Sequence, residues 1–170
     1  NAGGGSGGFA DNPASDMDLE QYHTIMARNL NGTVYTVKAA VPHMKKKAGG
    51  KIVTACSQAC LGITRNGTFA HYAIAKASIM KYTRYLSADL GPYGINVNAI
   101  APGFILTGRI KEYFLNSPDR DKFLEHTSLR RFGTPEDCAK VVEFLVTDLS
   151  DFVTGTIIDV TGGTIDKLAF

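Results

Sequence analysis

The chain holds little that would tie a small fold together covalently or attach it to another phase. It has three cysteines, Cys56, Cys60 and Cys138, an odd number with no Cys-x2-Cys spacing. That argues against a disulfide framework and suits a reduced, cytoplasmic setting. The four histidines, His23, His43, His71 and His126, share no metal-ligand spacing with one another or with the cysteines, so no metal is expected. No apolar run is long enough to span a bilayer and no signal-peptide pattern opens the chain, so no membrane partner is expected either. Charge of one sign is also lacking: 18 Lys and Arg stand against 16 Asp and Glu, a net charge of +2. The only basic run, Lys45 to Lys47, suits a solvated helix end, which leaves no basis for a nucleic-acid surface. Repeats and low-complexity linkers are missing too. What remains is ordinary globular material: 170 residues, 44% hydrophobic and 20% charged, enough for one domain over residues 1–170 with one sizeable core.

The most informative stretch runs from Lys51 to Leu90. Ile52 to Ala55 is a short apolar run after Gly49-Gly50, as a buried strand requires. Ser57 then falls at the strand's carboxyl end, where open α/β sheets bind their ligands. Tyr72 and Lys76 are four apart on the helix that follows and share one face. An ammonium within a few ångströms of a phenol favours the phenolate. Tyr72 could then exchange a proton with a substrate oxygen to which Ser57 donates a hydrogen bond. A Tyr-x3-Lys pair alone is weak evidence, since a helix with one aromatic and one surface lysine has the same pattern.

Taken in order, the spacing predicts a helix from about Asp16 towards Leu30. A second apolar stripe follows at Leu30, Val34, Val37, Val41 and Met44, ending in lysines and Gly49-Gly50. Asn29 stands where this stripe begins, and from spacing alone its amide could cap, bridge a water or be structural. A helix is expected over about 70–90 with small residues in its first turns, then a strand over 95–100 broken by Ala101-Pro102-Gly103. Residues 108–127, with Pro118 in the middle, suit a helical flap over a cleft or a plain surface excursion. Thr134-Pro135-Glu136-Asp137 has the composition of a helix start, and Thr156 to Val160 that of a last strand ended by Gly162-Gly163. Strands alternating with helices imply a doubly wound, Rossmann-type α/β parallel sheet in three layers, of which this is the C-terminal portion.

Residues along the whole chain resemble the short-chain dehydrogenase/reductases. Asn1-Ala2-Gly3 is similar to the family's Asn-Ala-Gly turn bordering the cofactor. Asn29 in Arg-Asn-Leu-Asn-Gly-Thr resembles its catalytic Asn, which holds a water in a proton relay. Ser57, Tyr72 and Lys76 resemble its catalytic Ser and Tyr-x3-Lys pair, and Pro102-Gly103 with Thr107 the segment lining the nicotinamide. Arg131 to Asp137, and Thr154-Gly155 through Gly162-Gly163, are similar to its C-terminal signature. The resemblance implies an NAD- or NADP-dependent enzyme acting on a secondary alcohol or ketone. Tyr72 would be the acid/base, Lys76 would tune it and hold the cofactor ribose, and Ser57 would polarise the carbonyl. It further implies that residues 108–127 cover the substrate and that the helices near 30–47 and 70–90 pair copies into a homodimer or homotetramer.

Three departures qualify the resemblance. The family's opening strand, Gly-rich turn and pyrophosphate-receiving helix have no match, a shortfall of roughly 80 residues at ~30 per βαβ unit. The residue selecting NAD or NADP would lie there, and the chain by itself is expected to bind a dinucleotide poorly and to be inactive. Ser57 precedes Tyr72 by 15 positions, about two more than in many relatives, and Thr161 stands where Asp is frequent before the last two glycines. A rival reading is a non-catalytic binding or assembly subunit on the same fold. A nucleophilic Cys56 served by His71 rests on proximity in sequence alone. Phe104, Ile105, Leu106, Tyr113 and Phe114 suggest an apolar wall, and Arg109 and Lys111 could meet an acidic group, so the substrate stays open.

Overall fold

The computed structural model describes residues 4–5, 11–64, 66–108 and 110–164. Its centre is a parallel sheet of three strands in the order β1 (Gly50–Ala55), β2 (Ile95–Pro102) and β3 (Ile157–Val160). Gly50 pairs with Ile95 and Ala55 with Ile100, while Ala99 pairs with Ile157 and Pro102 with Val160. All three strands therefore finish at the same edge of the sheet.

The helices are α1 (Leu19–Met26), α2 (Gly32–Lys46), α3 (Ala70–Leu90), α4 (Lys111–Leu115), α5 (Arg120–Glu125) and α6 (Pro135–Val146). Side chains alternate along β2 between the two faces of the sheet. Val97, Ala99 and Ala101 face α3, packing with Ile79, Leu86 and Leu90, while Val37, Val41 and Met44 of α2 close the same layer. Thr54 of β1 meets Thr83 of α3 there through a buried hydroxyl–hydroxyl bond of 2.6 Å. The other face is left to α6, which lies against all three strands and buries Leu145. The doubly wound sheet expected from the strand–helix alternation is present. No helix among the described residues is long and apolar enough to cross a membrane.

The first helix differs from its expectation. The chain does not break near Leu30: α1 starts at Leu19, capped by Asp18 Oδ1 on the Gln21 N–H, and runs into α2 through a π turn, Ala27–Asn31. The extra residue widens one apolar spacing to five, from Ile25 to Leu30, and a single such step does not stand out from the 3.6-residue pattern on either side.

Residues 108–127 fold as the short helices α4 and α5 over an aromatic cluster of Phe104, Phe114, Phe123 and Phe132. Both ends of this segment are held. Leu106 N–H donates to Gly133 O and Gly133 N–H to Phe104 O at one end, and Ser128 and Leu129 donate to Gly163 and Gly162 at the other. Gly162 and Gly163 have φ of 69° and 74°, and a side chain there would meet Thr127 Cγ2 at 2.9 Å and Ser128 Oγ at 2.7 Å. The paired glycines after β3 thus serve a close approach as well as a left-handed backbone.

Candidate active site

The site grows from the end of β1. Cys56 N–H donates to Ile100 O at 2.8 Å, extending the ladder one residue beyond the strand. Ser57 follows in extended conformation, and its Oγ accepts the Ala59 N–H at 3.2 Å, capping a 3₁₀ turn, Gln58–Cys60. Ser57 is therefore half-buried at the carboxyl end of its strand, where the sequence put it. The longer loop before Tyr72 is taken up by this turn and by bonds from Thr64 Oγ1 to Thr68 O and from Gly67 N–H to Thr64 O.

The turn into α3 is made by an unexpected residue. Phe69 lies in the left-handed region (φ 58°, ψ 22°) with no side-chain cap. For a non-glycine residue this costs on the order of 1–3 kcal/mol, which the surroundings must supply. They do so through a Phe69 N–H bond to Asp11 O and through the buried ring, packed 5.0 Å from the ring of Tyr72 and 5.3 Å from that of His71. Nothing in the sequence marks Phe69, because positive φ is normally signalled by glycine or asparagine.

Lys76 sits one turn beyond Tyr72 and is only 6% exposed. Its Nζ donates to Ala55 O at 3.0 Å and lies 5.5 Å from the centre of the Tyr72 ring. Burial pushes the lysine pKa below its ordinary value, and the nearby Cys56 and Cys60 sulfurs act in the opposite sense. The ammonium thus ties the first turns of α3 to the end of β1.

Asn29 occupies the π turn and is 1% exposed. Its Nδ2 donates to Ile25 O at 3.0 Å and to Gly4 O at 3.2 Å, while Oδ1 is buried without a hydrogen-bond partner among the described residues. Thr33 Oγ1 takes up the Asn29 carbonyl. The π turn packs against α3, on the same helix as Tyr72.

Strands β2 and β3 supply the remaining wall. Gly103 N–H donates to Val160 O, and a Cβ on Gly103 would stand 2.9 Å from Gln58 Oε1 and 3.0 Å from Thr161 Cα. Gln58 Oε1 in turn accepts the Thr164 hydroxyl. The Pro102-Gly103 bend, the Ser57 turn and the Thr161 segment therefore converge, and only glycine fits between them. Thr161 thus stands beside this bend as well as near the end of the described chain. Thr107 is not drawn into the cluster: it is exposed, and its carbonyl accepts the Ile110 and Lys111 N–H groups at the root of α4. Phe104 and Phe114 pack on each other beneath the α4–α5 segment, whereas Tyr113 is exposed. Asn1, Ala2, Gly3 and Arg109 lie outside the described residues.

A phenol, a buried ammonium, a strand-end hydroxyl and a buried amide around one edge of a sheet can bind an oxygen and exchange its proton. The comparisons with known proteins agree with this fold. The family described as Enoyl-(Acyl carrier protein) reductase matches residues 1–164. A cyclohexanol dehydrogenase of Rhodococcus sp. (strain TK6) is 50% identical over 163 residues, covering 96% of this chain and 60% of that protein. The crystal structure of a 3-oxoacyl-[acyl-carrier protein] reductase from Brucella melitensis ATCC 23457 superposes with a TM-score of 0.88 at 33% identity, over 98% of this chain and 61% of that one. A Brucella melitensis reductase of the same name with bound NAD gives 0.84 at 32% identity, over 98% and 60%. The chain thus spans about three-fifths of the length of these relatives. The chain belongs to the short-chain dehydrogenase/reductase family.

Proposed function

We propose that this chain is the catalytic and substrate-binding part of an NAD- or NADP-dependent oxidoreductase that interconverts a secondary alcohol and a ketone. The observation that carries the reading is the Lys76 ammonium, buried, fixed on Ala55 O at 3.0 Å and standing over the ring of Tyr72 one helical turn away. A buried cation beside a phenol is costly unless it serves something, and it favours the phenolate that proton transfer requires.

The chain's residues fit a nicotinamide cofactor at this edge. The Pro102-Gly103 bend stands beside the Ser57 turn and the Thr161 segment, and Lys76 Nζ commits one of its three donors to Ala55. In this reading Lys76 holds ribose hydroxyls, and the Pro102-Gly103 bend, Thr107 and the Asn1-Ala2-Gly3 turn border the cofactor. Bound nicotinamide supplies or accepts the hydride. Ser57 donates to the substrate oxygen and holds it for Tyr72. Tyr72 gives that oxygen a proton on reduction and removes one on oxidation. Asn29 Oδ1, buried and without a protein partner among the described residues, holds a water that passes the proton onward from Lys76. Residues 108–127 cover the substrate.

The relative at 50% identity is named for cyclohexanol, so an unhindered alicyclic secondary alcohol is the first substrate to assay. Tyr35 on α2 and Ile74 and Tyr85 on α3 leave large apolar area exposed, which supports pairing of copies through these helices into a dimer or tetramer. Three reduced cysteines are consistent with a cytoplasmic setting.

The deciding experiment is Tyr72→Phe in the full-length protein. Loss of the phenolic proton should lower turnover by roughly 10²–10⁴-fold, the usual contribution of a positioned acid/base. Cofactor affinity, followed by nicotinamide fluorescence, should stay near that of the unsubstituted protein. A variant with near-normal turnover would remove Tyr72 from the mechanism and favour the assembly-subunit reading.

A further inference from the structure

Two thiols flank Ser57, and the proposed reaction uses neither. Cys56 is 3% exposed and pinned by its N–H bond to Ile100 O, while Cys60 closes the 3₁₀ turn half-buried, its N–H on Ser57 O at 3.0 Å. Cys60 packs against the cluster that buries Cys56, close enough for each thiol to shift the other's titration. Lys76 of α3 presents its ammonium to both sulfurs, and Asp159 of β3 opposes it at Cys60.

We propose that Cys60 and Cys56 form an oxidisable dithiol, in which a peroxide oxidises Cys60 and Cys56 closes a disulfide around Ser57. The division of labour follows from the surroundings. The neighbouring Cys60 thiol and burial push the Cys56 pKa up, while the Cys56 thiol holds that of Cys60 down at about 7, so Cys60 is the more readily ionised of the two. Cys60 is also the more accessible of the two. Its thiolate attacks one peroxide oxygen, the O–O bond breaks and hydroxide leaves as water after taking a proton, giving a sulfenic acid. Cys56 then gives up its proton and attacks the Cys60 sulfur. The S–O bond breaks and a second water departs. Two thiols and one peroxide become one disulfide and two waters, with the two sulfurs supplying the two electrons.

A disulfide draws the sulfurs to about 2.05 Å, well inside the contact distance of two thiols. Cys56 is held by the β ladder, so the movement falls on Gln58–Cys60 and on the bonds that Ser57 makes to Ala59 and Cys60. Oxidation therefore displaces Ser57, and turnover falls; this last step rests on the role proposed for Ser57.

The test treats the full-length protein with hydrogen peroxide, blocks free thiols by alkylation and measures peptide masses. The expected result is a peptide spanning residues 56–60 that has lost two hydrogens and resists alkylation until dithiothreitol is added. Most of the turnover is lost in parallel and recovered with the reductant. Cys60→Ser, or Cys60→Ala if the serine variant folds poorly, should remove both effects, and Cys138→Ser should keep both. Peroxide that leaves Cys56 open to alkylation, whether Cys60 is untouched or over-oxidised, would overturn the dithiol. A disulfide that leaves turnover unchanged would overturn its link to Ser57. The mass readout is independent of turnover, so a protein inactive before oxidation would count against the oxidoreductase reading alone.

Discussion

At the scale of single residues, the Lys76 ammonium is a buried charge. It is buried with one carbonyl acceptor and two polarisable neighbours, Tyr72 and the thiol pair. Because its folded-state pKa is depressed, the unfolded chain binds the proton more tightly over the window between that value and the ordinary lysine value of about 10.4. This residue's contribution therefore makes stability rise with pH through that window. Lys76→Met keeps the length of the side chain and removes the charge. Thermal melts should show a midpoint equal to or above that of the unsubstituted protein at pH 7, without the alkaline rise, while turnover drops by at least ~100-fold if the lysine tunes Tyr72. A variant that loses stability and retains activity would make Lys76 a structural residue.

At the scale of elements, α6 shows how far local sequence can dictate structure. Thr134 caps the Asp137 N–H, the Asp137 carboxylate returns to the Thr134 N–H at 2.8 Å, and Pro135 opens the first turn. Arg131 adds a two-pronged contact to the same carboxylate at 2.7 and 3.0 Å, and it holds the Asp137 carboxyl well below the usual carboxylate range. Thr134→Ala should cost about 1 kcal/mol in denaturant unfolding. Asp137 contributes stability that is present above the ordinary carboxylate pKa of about 4 and is lost as pH falls below it. The acid-induced drop in melting temperature should therefore be smaller in Asp137→Asn. The π turn at Ala27–Asn31 is the opposite case: its extra residue comes with packing against α3 and with the Asn29 bonds to Ile25 and Gly4.

At the scale of the whole molecule, the core falls into separate clusters. One pair packs the sheet against α2 and α3, and the aromatic set of Phe104, Phe114 and Phe132 lies under α4 and α5. Phe114, 2% exposed, contacts Phe104, Phe123 and Phe132 at ring separations of 5.2–5.6 Å. Phe114→Ala should remove about 3–5 kcal/mol of packing. The loss should fall on residues 111–125, a segment tied to the rest of the fold by backbone bonds at Gly133 and at Gly162-Gly163. Hydrogen exchange should quicken across α4 and α5 and stay slow in β1 and β2. Equal acceleration in the sheet would show that the segment and the sheet unfold as one unit.

The sequence by itself determined the strand–helix alternation, the extent of α3, the start of α6 and the four candidate polar residues Asn29, Ser57, Tyr72 and Lys76. Each of these depends on local periodicity, capping chemistry or motif spacing, which a linear string carries intact. Only the tertiary structure decided that α1 and α2 join through a π turn, that Phe69 takes a left-handed backbone, that Phe114 packs under its segment, and that Cys56 and Cys60 meet across Ser57. Those outcomes depend on contacts between residues distant along the chain, whose packing outweighs local preference by an amount no short window of sequence contains.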